Sequence, residues 1–296
     1  MLTVTNLTKT YPNGTHALRG VNLAVGRGLF GLLGPNGAGK SSLMRTLATL
    51  QEPDAGAITF DGADVLADPE RHRRHLGYLP QDFGVYPGVS AVELLDHLAL
   101  LKGVADRRAR HTQVEALLHQ TNLWESRKKA VSGYSGGMRQ RFGIAQALLG
   151  DPRFIIVDEP TAGLDPEERN RFHNLLSEVG ESVVVLLSTH IVEDVRQLCP
   201  RMAILAAGRV LCEDAPRALV AGLEGRVWQR IVQKADVPAY QARMAVLSTQ
   251  LQAGETLLHV LADERPEPGF EPVRPDLEDV YFAALAAERT GAEGAA

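Results

Sequence analysis

A chain of 296 residues, 45% hydrophobic and 23% charged, can bury one large core, or a large and a small one. Its formal net charge of −5 argues against a basic field for nucleic acid, and no apolar run approaches the ~20 residues that cross a bilayer. Its two cysteines, Cys199 and Cys212, lack metal-ligand spacing and suit a reducing cytoplasm as small core residues.

Residues 1 to about 33 read as strand, turn, strand, turn, strand, with Tyr11-Pro12-Asn13-Gly14 as the first turn signal. The first residues alternate like a strand and lack a basic start followed by an apolar core, so no signal peptide is expected. The apolar run Leu29 to Leu33 then enters Gly34-Pro35-Asn36-Gly37-Ala38-Gly39-Lys40-Ser41, which fills G-x-x-x-x-G-K-[ST]. Ser42 to Leu50 follows with Leu43, Leu47 and Leu50 at helical spacing. Strand, glycine-rich loop and helix is the context in which this pattern holds phosphate. Glycines let backbone N–H groups turn toward an anion, and the helix N-terminus adds positive potential. Lys40 is placed to reach the β- and γ-phosphates, and the Ser41 hydroxyl to ligate Mg²⁺.

Ala57 to Phe60 followed by Asp61-Gly62 reads as a further hairpin element. The charged stretch Pro69 to His75 reads as a short helix with a solvated face. A short strand ends at Pro80, and Gln81 opens a loop to Gly88 that carries Phe83 and Tyr86, a docking patch in character. Helices follow over Ala91 to about Leu101 and Asp106 to about Gln120. Ser132 to Arg141 places three glycines and two serines before a helix with Phe142, Ala145, Leu148 and Leu149 on one side, a second helix N-terminus able to face an anion.

Phe154 to Val157 is continuously apolar and ends in Asp158 and Glu159, as expected of a strand buried on both faces of a parallel sheet. Open α/β sheets bind ligands at such C-terminal strand ends. Asp158 is placed to hold Mg²⁺, and Glu159 to orient or deprotonate an attacking water. Val183 to Thr189 repeats the pattern and ends at His190, on the edge that carries the phosphate loop. Glu167 to about Gly180 and Ile191 to Cys199 read as helices, and Met202 to Leu205 with Arg209 to Cys212 as a hairpin. Past about Pro216 the pattern changes to a small sheet, proline-rich linkers over 266–275, and a closing helix over 277–285. No catalytic constellation follows residue 215.

Taken in order, these stretches resemble the nucleotide-binding subunit of the ATP-binding-cassette (ABC) transporters, over residues 1 to about 220. Gly34 to Ser41 resembles the Walker A loop, Gln81 the Q-loop glutamine, and Ser135-Gly136-Gly137 the core of the ABC signature. Phe154 to Glu159 resembles Walker B with its catalytic glutamate, Gly163-Leu164-Asp165 the D-loop, His190 the switch histidine, and Tyr11 the aromatic that stacks on adenine. The resemblance implies a P-loop NTPase fold of the ABC type: α/β, with an antiparallel β subdomain, a helical subdomain over about 82–150, and a small α/β extension over 216–285 after a cassette of 1–215. Residues 286–296 are expected to form a disordered tail.

The resemblance further implies ATP and Mg²⁺ as ligands. Glu159, His190, Gln81 and Lys40 would carry catalysis, and Ser41, Gln81 and Asp158 the metal. Tyr11, the loop Gly34 to Ser42, and Ser135 to Gly137 would hold nucleotide. Two cassettes would pair head to tail, each closing its signature over the other's ATP. Tyr134 and Met138 stand where the family usually has Leu and Gln, with the serine hydroxyl and glycine amides retained. A single cassette whose tail ends in Leu277-Glu278-Asp279-Val280-Tyr281-Phe282 resembles the drug-resistance and sodium exporters. In these a separate membrane permease is the partner and the cassette lies in the cytoplasm on the inner face of the membrane. Nucleic acid is not an expected partner. The competing reading is an ABC ATPase acting on ribosomes or DNA; it lacks support from the acidic charge, the single cassette and the absence of a heptad insertion.

Overall fold

The computed structural model describes residues 1–293. Its centre is a six-stranded sheet in the order Arg209–Asp214, Arg201–Ala206, Gly28–Leu33, Val184–Thr189, Phe154–Asp158, Leu76–Leu79. All neighbours are parallel except the outer pair, Arg209–Asp214 on Arg201–Ala206. The third N-terminal strand, Gly28–Leu33, does not continue the meander begun by Leu2–Thr10 and His16–Val25. It enters the central sheet, as its unbroken apolar run requires.

Both faces of this sheet are buried, and side-chain alternation divides them. Phe30, Leu32, Phe154, Ile156, Leu186 and Leu205 face one core, shared with the helix Lys40–Leu47 and the antiparallel sheet of His16–Val25, Leu2–Thr10, Ala55–Phe60 and Ala63–Asp64. Leu33, Ile155, Val157, Leu187 and Ile204 face the other, covered by Pro166–Gly180, Val192–Leu198 and Leu277–Glu293. Each such side chain contributes roughly 1.5–3 kcal/mol on burial. A third core joins Ala91–Leu101, Arg107–Gln120 and Gly136–Ala147 into the helical subdomain.

The stretch 69–75 differs from a solvated face at one position. His72 is buried, its Nε2 lies 3.0 Å from the Leu47 carbonyl oxygen, and its ring meets Phe60 edge-on. A charged helix six residues long still needs one side chain to anchor it, and an imidazole supplies apolar area and a polar tip together.

After the helix Pro216–Ala221, the extension is a four-stranded antiparallel sheet with its own small core of Tyr240, Leu258, Val260 and Phe270. Part of the proline-rich linker is not loop: Glu271–Pro272 pairs with Val227–Val232 as an edge strand, where a proline is tolerated. The closing helix packs Leu277, Val280 and Tyr281 into the core under the central sheet. It runs Leu277–Glu293, so 286–293 are helical where a disordered tail is expected; alanine and glutamate favour helix once it is nucleated. Residues 294–296 of that expected tail lie outside the described residues.

His259 on the Glu255–Leu261 strand bonds Asp279 on the closing helix, Nδ1 to Oδ1, at 2.8 Å, both residues buried. The Asp279 bond raises the His259 pKa above its ordinary value, against burial. The stabilisation is therefore complete below the unfolded imidazole value of about 6.5 and fades as pH rises through the higher folded value. His259→Gln is expected to cost about 1–3 kcal/mol at pH 6 and measurably less at pH 9, read by thermal unfolding.

Candidate nucleotide site

The phosphate loop is held by close backbone approaches that only glycine permits. Gly39 sits at φ +106°, and a Cβ there would stand 2.3 Å from the Ala17 carbonyl oxygen. A Cβ on Gly34 would stand 2.3 Å from the Leu205 carbonyl oxygen. The helix Lys40–Leu47 begins directly at the lysine, with no side-chain cap on its first amides. Those N–H groups are left for a ligand. Gly39→Ala is expected to destabilise the fold by more than about 2 kcal/mol, from φ strain and the clash together, read by denaturant unfolding.

Lys40 is buried at 6% exposure. Its ammonium donates to the Gly34 oxygen at 2.6 Å and the Pro35 oxygen at 3.2 Å, and pairs with Glu159 Oε1 at 3.4 Å. Three acceptors meet its three protons. Glu159 lies just past the end of the Phe154–Asp158 strand at φ +50°, a left-handed conformation costly for a non-glycine residue. Its N–H donates to the Ser188 oxygen at 2.8 Å. Its Oε2 faces His190 Nδ1 at 2.6 Å and accepts from the His190 backbone N–H at 3.3 Å. Glu159 thus stands between a cation and a histidine at the edge where the strands end.

Asp158 is also buried, and its Oδ1 has no hydrogen-bond partner. Burial pushes its pKa up and the Glu159 charge adds to the rise, while the Ser188 hydroxyl, Lys40 and the Ser41 hydroxyl oppose it. A buried carboxylate oxygen left without a donor is the kind of atom a hard cation satisfies. Among the described residues no cluster of three or more His, Cys, Asp or Glu side chains could hold a metal alone.

A cavity of about 490 Å³ brings together Tyr11, the loop residues Pro35 to Ser42, Gln81, Glu159 and His190. Asp158 is not among the lining residues; it precedes Glu159 at the buried end of its strand. Tyr11 is anchored by its hydroxyl, 3.0 Å from Ser42 Oγ and donating to Gln51 Oε1 at 3.0 Å. Gln51 in turn donates from Nε2 to the Ser42 oxygen at 2.9 Å and to Thr46 Oγ1 at 2.8 Å. Sequence reading missed Gln51 and the wall residues Thr15, His16, Arg19 and Ala207. The wall residues reach the loop through long-range strand pairing, and no local motif signals them.

Ser135, Gly136 and Gly137 do not line this cavity. Ser135 caps the helix Gly136–Ala147, its hydroxyl accepting from the Met138 N–H at 3.3 Å. Tyr134 fills the helical subdomain core, packs edge-on against Phe142, and donates its hydroxyl to the Ser126 oxygen at 2.9 Å. Its hydroxyl is satisfied, so tyrosine serves where a leucine would. Met138 packs partly into the same core. Asp165 caps the helix Pro166–Gly180 by accepting from the Glu168 N–H at 2.9 Å.

A glycine-cradled phosphate loop after a parallel strand, with a carboxylate pair at the end of another strand of the same sheet and Glu159 paired with the loop lysine, defines a P-loop nucleotide hydrolase. The chain belongs to the ABC transporter family, whose profile matches residues 18–162. It is 37% identical to the daunorubicin/doxorubicin resistance ATP-binding protein DrrA of Streptomyces peucetius, over 83% of this chain and 74% of that one. It is 32% identical to the Nod factor export ATP-binding protein I of Ralstonia nicotianae, over 90% of this chain and 83% of that one. Among solved structures, an ATP-binding subunit of an ABC transporter superposes with a TM-score of 0.67 at 29% identity, covering 75% of this chain and 92% of that one. A dimeric ATP-binding cassette in a post-hydrolysis state with ADP and phosphate superposes at 0.66 and 27% identity, covering 73% and 98%. The fold is that of the ABC ATPases, and the activity is ATP hydrolysis.

Proposed function

We propose that this chain powers export through a separate membrane permease, working as a head-to-tail pair of cassettes. The observation that carries the reading is Glu159, held in a strained conformation between Lys40 and His190 over the phosphate loop. The names of the relatives, drug resistance and Nod factor export, support the direction of transport. Among the described residues no helix is long and apolar enough to cross a membrane, so a transport role draws on a membrane partner. Such a partner would place the cassette on the inner face of the membrane.

In this reading the loop amides and Lys40 bind the phosphates of ATP, and Tyr11 stacks on the base. Glu159 orients and deprotonates the attacking water, and His190 holds Glu159 and meets the γ-phosphate. Ser41, Asp158 and Gln81 would hold Mg²⁺, with phosphate and water oxygens completing the shell. When bound, the ion neutralises charge on the β- and γ-phosphates. Ser135 to Gly137, which stand away from this chain's own cavity, serve the nucleotide of the second copy.

Tyr11→Ala is expected to weaken ATP binding by roughly 1–3 kcal/mol, by analogy with base–aromatic stacking, read by fluorescent-nucleotide displacement. The wider reading is tested by affinity purification of the tagged chain from detergent-extracted native cells. A polytopic membrane protein is expected in comparable molar amount. Recovery with ribosomes or DNA instead would overturn the transport assignment.

A further inference from the structure

We infer that Thr161 and Asp194 are a positioning pair that holds Glu159 and His190 at their working separation. The inference rests on the roles proposed above for those two residues. Phe154–Asp158 and Val184–Thr189 are neighbouring parallel strands with Asp158 opposite Ser188. Each delivers one member of the pair at its exit, Glu159 from one and His190 from the other. Past that point the two segments separate into different helices. A second bond joins them again. Thr161, two residues beyond Glu159, donates its hydroxyl to Asp194 Oδ2, four residues beyond His190 in the helix Val192–Leu198.

Asp194 has no solvent exposure and Thr161 only 2%. The other carboxylate oxygen of Asp194 stands 3.0 Å from His173 Nε2 and 3.1 Å from Arg169 Nε, both on the helix Pro166–Gly180. One carboxylate therefore ties together the exit carrying Glu159, the exit carrying His190, and the helix between them in sequence. Burying a carboxylate is expensive, and apolar side chains would hold these segments together without that cost. A charged, directional bond does what apolar packing does not: it sets one distance and one orientation. Glu159 needs this, because its left-handed backbone persists only where its surroundings over-determine it. Misplacement of a reacting group by about 1 Å can lower a rate on the order of 10²-fold. Neither Thr161 nor Asp194 lines the nucleotide cavity, so their action passes through Glu159 and His190.

The test is steady-state ATP hydrolysis by the purified full chain carrying Thr161→Val, with Thr161→Ala and Thr161→Ser beside it. Valine keeps the shape and removes the donor; alanine removes the donor and leaves space, so it reports even where valine does not fold; serine restores the donor. Thr161→Val and Thr161→Ala are expected to lower kcat at least tenfold with KM for ATP within twofold of wild type. Thr161→Ser is expected to keep kcat within twofold. In a Glu159→Gln background, Thr161→Val should reduce the residual rate less than twofold, since its target is already gone. A donor-less variant with kcat near wild type, a serine variant as slow as alanine, or full additivity with Glu159→Gln would each overturn the inference. Normal turnover by Glu159→Gln alone would instead overturn the proposed role of Glu159, on which the inference stands; the two failures are therefore distinguishable.

Discussion

Glu159→Gln is expected to lower ATP turnover about 10²–10⁴-fold, the usual contribution of a positioned general base. Glutamine keeps the shape and a carbonyl oxygen to accept from the His190 backbone N–H. It loses the carboxylate that accepts a proton and the charge that faces Lys40 at 3.4 Å. ATP affinity should be retained or improved, because a γ-phosphate then no longer competes with a carboxylate for the Lys40 ammonium. A drop in kcat with unchanged or tighter nucleotide binding separates this from a folding defect, and thermal unfolding checks the fold independently.

Lys40→Ala has the opposite signature. Its ammonium is wrapped inside the loop, bonded to two loop carbonyl oxygens and paired with Glu159. Charge-assisted hydrogen bonds are worth about 1.5–3 kcal/mol each. Loss of two such bonds to phosphate predicts a fall in ATP affinity on the order of 10²–10⁴-fold, measured by isothermal titration. The variant also leaves Glu159 and Asp158 buried side by side without a cation, so a lower unfolding midpoint is expected. Lys40→Arg should restore part of the stability and little of the affinity, since a guanidinium does not fit the space of a compact ammonium.

The chemistry of the site was legible in the sequence because each part ends a locally readable element. The loop follows an apolar strand and opens a helix, and Asp158, Glu159 and His190 end buried strands whose composition admits little else. Placement of the strands was less legible. Gly28 to Leu33 reads as a buried strand before the loop, but nothing local names its partners, because Val184–Thr189 and Arg201–Ala206 lie about 150 residues or more along the chain. The burial of His72 is hidden for a related reason: it depends on Leu47 and Phe60, which belong to other elements. Tyr134 illustrates the reverse case. It departs from the family pattern at a position whose task is packing, and Phe142 and the Ser126 oxygen accommodate it.

The phosphate loop and the Ser135 to Gly137 helix start occupy separate parts of one chain, and in the proposed function they meet only across two copies. The direct test is the mass of Glu159→Gln in solution, by light scattering after size exclusion. With saturating ATP and Mg²⁺ twice the chain mass is expected, reverting to a single chain with ADP. A single-chain mass at saturating ATP, with turnover still abolished by Glu159→Gln, would contradict the shared site.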